Sequence, residues 1–158
     1  MQHSFSYNKK QVIQGLRYHF ITRPEIRALI IIINVFAIGS AILYGIKKIR
    51  PEPFLLGSCL WLLIMAAFWY VLPNAVYNRH LTFKESFIIY FNDSDVRLEG
   101  SHSYVDWNWK QFTNFFESPN FFHLYFSTKS FFLVPKDNMS DEYRHELRGL
   151  LNSKIKKK

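Results

Sequence analysis

The sequence predicts an α+β membrane protein: a two-helix transmembrane hairpin plus a small antiparallel β-sheet capped by a C-terminal α-helix, with an N-terminal strand and amphipathic helix. Three observations carry this. Residues 28–46 and 54–72 are apolar and free of charge. Residues 77–158 break into short aromatic runs separated by turn residues. The basic excess lies beside the apolar stretches and at the tail rather than on the folded part. The segments implied are 1–22, 23–76 and 77–158.

Each apolar stretch is 19 residues long, about 28 Å as a helix at 1.5 Å per residue, which matches the hydrocarbon thickness of a bilayer. Both are apolar on all sides, as lipid requires, and the remaining chain is too small to cover two such helices in a soluble core. Thr22-Arg23-Pro24-Glu25 reads as a capping box with an early proline, starting the first helix before the membrane. Pro51 and Pro53 read as breaking the loop of about seven residues between the spans. Trp69 and Tyr70 fall at headgroup depth near the end of the second span, and Pro73 follows. Ala37, Ala41 and Gly45 form a small-residue stripe, to be covered by the second span or by a second copy in a homodimer; Asn34 can hydrogen-bond across either interface.

Charge sets an expected orientation. A short loop makes the hairpin antiparallel, so both termini lie on one side. Arg17, Arg23, Arg27, Arg79 and Lys84 flank that side, against Lys47, Lys48 and Arg50 in the loop. The excess places the termini in the cytoplasm of a two-span cell-membrane protein. The sole cysteine, Cys59, lies in the second apolar stretch and can form no intrachain disulfide. Nothing in this distribution suits a nucleic-acid partner, whose binder would carry its charge on the folded domain.

Ahead of the hairpin, Phe5 and Tyr7 alternate as in a strand, which needs partners in the C-terminal sheet to persist. Asn8 is a helix cap with Gln11 answering it, and Val12, Ile13, Leu16 and Phe20 share one face of an amphipathic helix lying on the bilayer or against the distal domain. After the hairpin the runs Ser86–Phe91, Val96–Glu99, Tyr104–Trp109, Gln111–Glu117, Phe121–Phe126 and Ser130–Val134 read as strands. Asn92–Asp95, Gly100–Ser103, Ser118–Asn120 and Ser127–Lys129 are the turns between them. Val105, Trp107 and Trp109 are expected on one strand face. Ser140 caps a final helix whose Tyr143, Leu147, Leu150, Leu151 and Ile155 pack on the sheet. A meandering sheet closed by one C-terminal helix is the outline of a pleckstrin-homology-like (PH-like) domain.

Within this outline Trp107, Phe112, Glu117, Phe122-x-Leu124-Tyr125 and Phe132-x-x-Pro135-Lys136 resemble the C-terminal domain of the YcxB-like family of bacterial membrane proteins. The Phe5-x-Tyr7 segment and the hairpin stand in the family's places as well. The resemblance implies a PH-like domain anchored in a bacterial inner membrane and assigns no activity.

Chemistry is sparse. No nucleophile motif, phosphate loop or paired-histidine zinc motif occurs; His145-Glu146 lacks a second histidine at the needed spacing. The six histidines are scattered and read as surface or interfacial residues, and Asp93 and Asp95 read as turn formers rather than calcium ligands. No catalytic residue, metal or cofactor is expected. The candidate contacts with a partner or lipid are Phe115 and Phe116, which as strand neighbours point to opposite faces, and the basic tail Lys154, Lys156, Lys157 and Lys158. The expected function is a non-enzymatic, membrane-anchored binding or scaffold module whose partners are the lipid bilayer and a protein or second copy. An immunity or envelope-stress protein that binds a toxin is the first alternative, and an enzyme acting at the bilayer surface the second.

Overall fold

The computed structural model describes residues 1–101 and 103–155, and within these the chain forms two compact units: Met1–Gly15 with His80–Lys158, and Leu16–Arg79. The N-terminal segment therefore is not a unit of its own. It divides inside its helix.

The first unit is built on seven strands. β1 (Gln2–Ser6), β2 (Ser86–Phe91), β3 (Asp95–Glu99) and β4 (Tyr104–Asn108) form one antiparallel sheet in that order. β5 (Asn114–Glu117), β6 (Phe121–Tyr125) and β7 (Phe131–Pro135) form a second. The register sets Phe5 opposite Phe87 and His3 opposite Ile89, so period-two alternation sends these side chains to one buried face. β1 is also tied to the second sheet: His3 Nε2 donates to the Pro135 carbonyl at 3.1 Å and the Tyr7 hydroxyl to that of Leu133 at 2.8 Å. Burial pushes the Tyr7 hydroxyl pKa up and the His3 imidazole pKa down. The expected pairing of the N-terminal segment with the C-terminal sheet is thus present, displaced by one residue because Tyr7 leaves the ladder.

Every residue of β6 is buried. Phe122 and Leu124 join the core with Phe115, Val134, Leu147 and Leu151. On the other face, a Cβ added at Gly15 would lie 2.9 Å from the Phe121 ring, so glycine is what lets the first helix approach. That helix, α1 (Lys9–Thr22), begins with the Lys10 amide donating to Asn8 Oδ1. Gln11 does not complete a capping box; its amide reaches Asp137 at 3.1 Å. α5 (Asp141–Lys154) starts as expected, with Ser140 Oγ accepting from the Tyr143 amide.

Three strand expectations change. Tyr104–Trp109 stops at Asn108, where the Asn side chain accepts from the Lys110 amide and turns Trp109–Gln111 into a 3₁₀ turn. Val105 and Trp107 keep one strand face, with Val105 exposed and Trp107 half-buried, while Trp109 leaves the strand and is buried. β5 shortens to Asn114–Glu117 for the same reason. His3, His19 and His123 are buried rather than on the surface. Polar partners of two are His3's Pro135 carbonyl and, for His123 Nε2, Ser118 Oγ at 2.9 Å, and such partners allow burial.

The second unit holds two helices long and apolar enough to cross a membrane, and the apolar window of each contains no buried residue. α2 (Pro24–Gly45) and α3 (Pro51–Ala66) run antiparallel, with Tyr44 stacked on Phe54 at one end and Trp61 Nε1 donating to Asn34 Oδ1 at 3.4 Å near the middle. The Thr22 capping box does not form, because α1 extends through Thr22 and its hydroxyl donates back to the His19 carbonyl. Pro51 and Pro53 do not break the loop. Pro51 opens α3 at the first position, where its missing N–H costs nothing. Of the small-residue stripe, Ala37 is half-buried while Ala41 and Gly45 are exposed, so α3 covers only its beginning.

Pro73 does not end the second long helix either. The helix continues from Ala67–Val71, a π turn, into α4 (Leu72–Arg79). Proline cannot donate to the carbonyl four residues back, here Trp69, and its ring crowds that carbonyl. The π turn opens the helix there, with the Leu72 amide donating to Ala67. Side chains serve the carbonyls exposed: Arg17 Nε donates to Trp69 O at 2.9 Å and Asn74 Nδ2 to Tyr70 O at 2.7 Å.

Candidate functional site

Glu117, at the end of β5, is the most constrained ionisable group of the sheet unit. Its Oε1 accepts from Lys136 Nζ at 2.7 Å and Arg148 Nη2 at 2.8 Å, and its Oε2 from Arg148 Nε at 2.8 Å. Lys136 Nζ also donates to the Ser118 carbonyl at 2.7 Å and lies 4.9 Å from the Phe122 ring centre. The Arg148 hydrogen bonds foremost, opposed by partial burial and aided by Lys136, hold the Glu117 pKa down to about 2. The carboxylate stays ionised with both oxygens occupied. It joins the β5–β6 turn, the end of β7 and α5, which is a structural task. Residues Glu117 and Lys136 of the family-like motif thus meet in space, 19 positions apart.

The residues singled out for contact separate. Phe115 has no exposed surface and belongs to the core, which removes it as a contact. Phe116, its neighbour on the opposite face, is half-buried with its ring edge toward His123, 5.4 Å between centres. Lys154 is exposed in the last turn of α5. Lys156, Lys157 and Lys158 lie outside the described residues.

Sequence reasoning placed β4 but did not single it out as a contact surface. This strand ends the order of its sheet, so among the described residues one edge has no neighbour in the sheet, and only Trp107 of the strand is even half-buried. Tyr104 is 66% exposed and Val105 45%. Arg97 donates to both Asp106 carboxylate oxygens, at 2.7 and 3.2 Å, and its guanidinium lies 5.3 Å from the Tyr104 ring centre. Beside the strand, Trp107, Gln111, Phe126 and Ser130 line an open recess. The available signal was the Asp106 charge between Val105 and Trp107, which marks a strand with little cover.

No curated protein and no solved structure matches the chain. A family model does. Residues 91–151, from the end of β2 through most of α5, match the model of the YcxB-like protein family, so this stretch is similar to that family.

Proposed function

We propose that this chain is a two-span membrane protein whose hairpin anchors a PH-like binding module at the cytoplasmic face of a bacterial inner membrane. The observation that carries the reading is the composition of the sheet unit: β1 precedes both long helices and β2–β7 follow them. A hairpin inserted into a folded domain returns the chain to the side it left, which suits two spans and not one. The bare apolar surfaces of α2 and α3 support placement in lipid, since a soluble protein would bury them. Seven strands in two antiparallel sheets with a C-terminal helix support the PH-like outline. The basic flanks Arg17, Arg23, Arg27 and Arg79 favour cytoplasmic termini.

The module binds a protein through the free edge of β4, where unpaired backbone groups and exposed Tyr104 and Val105 suit an added extended segment. A photo-crosslinking residue placed at Val105 of the full chain in its native membrane is expected to capture one stoichiometric protein. The same residue at the half-buried Phe116 is expected to capture less. Equal labelling at both positions, or none, removes the β4 reading.

A further inference from the structure

We propose that the crevice between α1, α2 and the π turn binds one anionic phospholipid, its phosphate on Arg17 and an acyl chain against Ile26, Ile30 and Met65. The proposal rests on the membrane reading above. A cavity of about 170 Å³ is lined by Arg17 and otherwise by apolar side chains, among them Phe20, Phe68 and those three. Such a cavity in a water-soluble unit would have no polar partners for water and would stay dry or close. At the end of a span it faces lipid tails, and a chain fills it.

Arg17 supplies the selectivity. Its Nε donates to the Trp69 carbonyl, to which Pro73, four residues on, cannot donate. Its guanidinium lies 5.2 Å from the Trp69 ring centre and 5.7 Å from that of Tyr70. Among the described residues it forms no ion pair. A fixed, uncompensated guanidinium at the rim of an apolar crevice is complementary to a phosphate attached to a hydrocarbon chain. Trp69 and Tyr70 are residues that favour headgroup depth, where that phosphate lies. Arg23, Arg27 and Arg79 in the same unit face only Glu25 as an acid near this end of the hairpin, so the surroundings also favour an anion.

The test uses the full chain purified in detergent, with palmitoyl-oleoyl-phosphatidylglycerol or the matching phosphatidylcholine added, and bound lipid counted by native mass spectrometry. One phosphatidylglycerol should be retained in preference to phosphatidylcholine. Arg17→Gln should weaken that retention about fivefold, the factor equal to about 1 kcal/mol for one basic group near an anionic lipid. Arg17→Lys should keep most of the preference, which a purely structural role at Trp69 would not predict. Ile30→Trp, which fills the crevice and leaves the charge, should lower retention of both lipids. Equal retention of the two lipids, or no change in Arg17→Gln, overturns the proposal. Resistance to carbonate extraction, measured in parallel, separates the two readings: a chain that carbonate releases refutes the membrane spans, whereas one that stays and holds no phosphatidylglycerol refutes only this site.

Discussion

In the sheet unit Phe115, Phe121, Phe122 and Leu124 have no exposed surface, while in the hairpin Phe36 is 70% exposed and Leu56 73%. The residue types are the same and the arrangement is opposite. The sheet unit buries these residues among its two sheets and the helices packed on them, and holds its rim with a charged clamp. The hairpin turns its apolar side chains outward and keeps its polar ones, Asn34, Ser40 and Ser58, bonded within the helix pair. Each pattern suits a different solvent, water for one and, on the two-span reading, hydrocarbon for the other.

Substitutions can break that contrast. The largest effect is expected in the core, where Phe115→Ala leaves a cavity and should lower the stability of the sheet unit by about 3–5 kcal/mol, measured by thermal unfolding of the full chain in detergent. Next comes Leu63→Arg, 68% exposed and midway along the second apolar stretch, which a water-exposed surface would tolerate and a bilayer would resist by about 3 kcal/mol. Its carbonate-resistant fraction should fall sharply; an unchanged fraction would show that the hairpin's solvent is water.

The clamp is the third point of attack. Glu117→Gln strands Lys136 and Arg148 and should cost about 2 kcal/mol, between the limits for surface and fully buried pairs. Because folding lowers this carboxyl from 4.5 to about 2, its contribution is complete above pH 4.5 and is lost as pH falls from there toward 2. Wild-type stability should therefore drop more steeply across that window than that of E117Q, and parallel slopes would place the acid sensitivity elsewhere. The smallest effect is expected of Ser140→Ala, which removes the α5 cap and should cost about 1 kcal/mol by the same unfolding measurement.

The parts legible from the sequence were those with a local cause. Uncharged runs, Ser140 before Asp141-Glu142, and the apolar, aromatic run Ser86–Phe91 each act within a few residues, and the structure follows them. Where reading failed, the deciding partner was distant in sequence. Thr22 is the local exception: its hydroxyl bonds the His19 carbonyl within α1 and does not cap α2. Pro73 looked like a stop because the rescue of Trp69 comes from Arg17, 52 positions earlier. The histidines looked exposed because the groups that allow their burial, Pro135 for His3 among them, lie in other elements. Of the contact residues, Phe115 and Phe116 were correctly split between two faces, but only the register of β5 against β6 says which one turns inward. The free edge of β4 is a property of sheet order, which no single strand encodes.

The placement of β1 has a consequence for how the protein is made. At 5–20 residues per second, translation needs on the order of 10 s to go from His3 to Pro135, 132 residues later, so the first strand emerges long before its partners exist. On the two-span reading proposed above, both spans must enter the bilayer in that interval. If only one does, Gln2–Ser6 and Ser86–Phe91 end on opposite sides of the membrane and can never pair. Closure of the first sheet is then a built-in proof of insertion: a chain with a failed hairpin exposes Phe5, Phe87 and Ile89 to the machinery that degrades unfinished proteins.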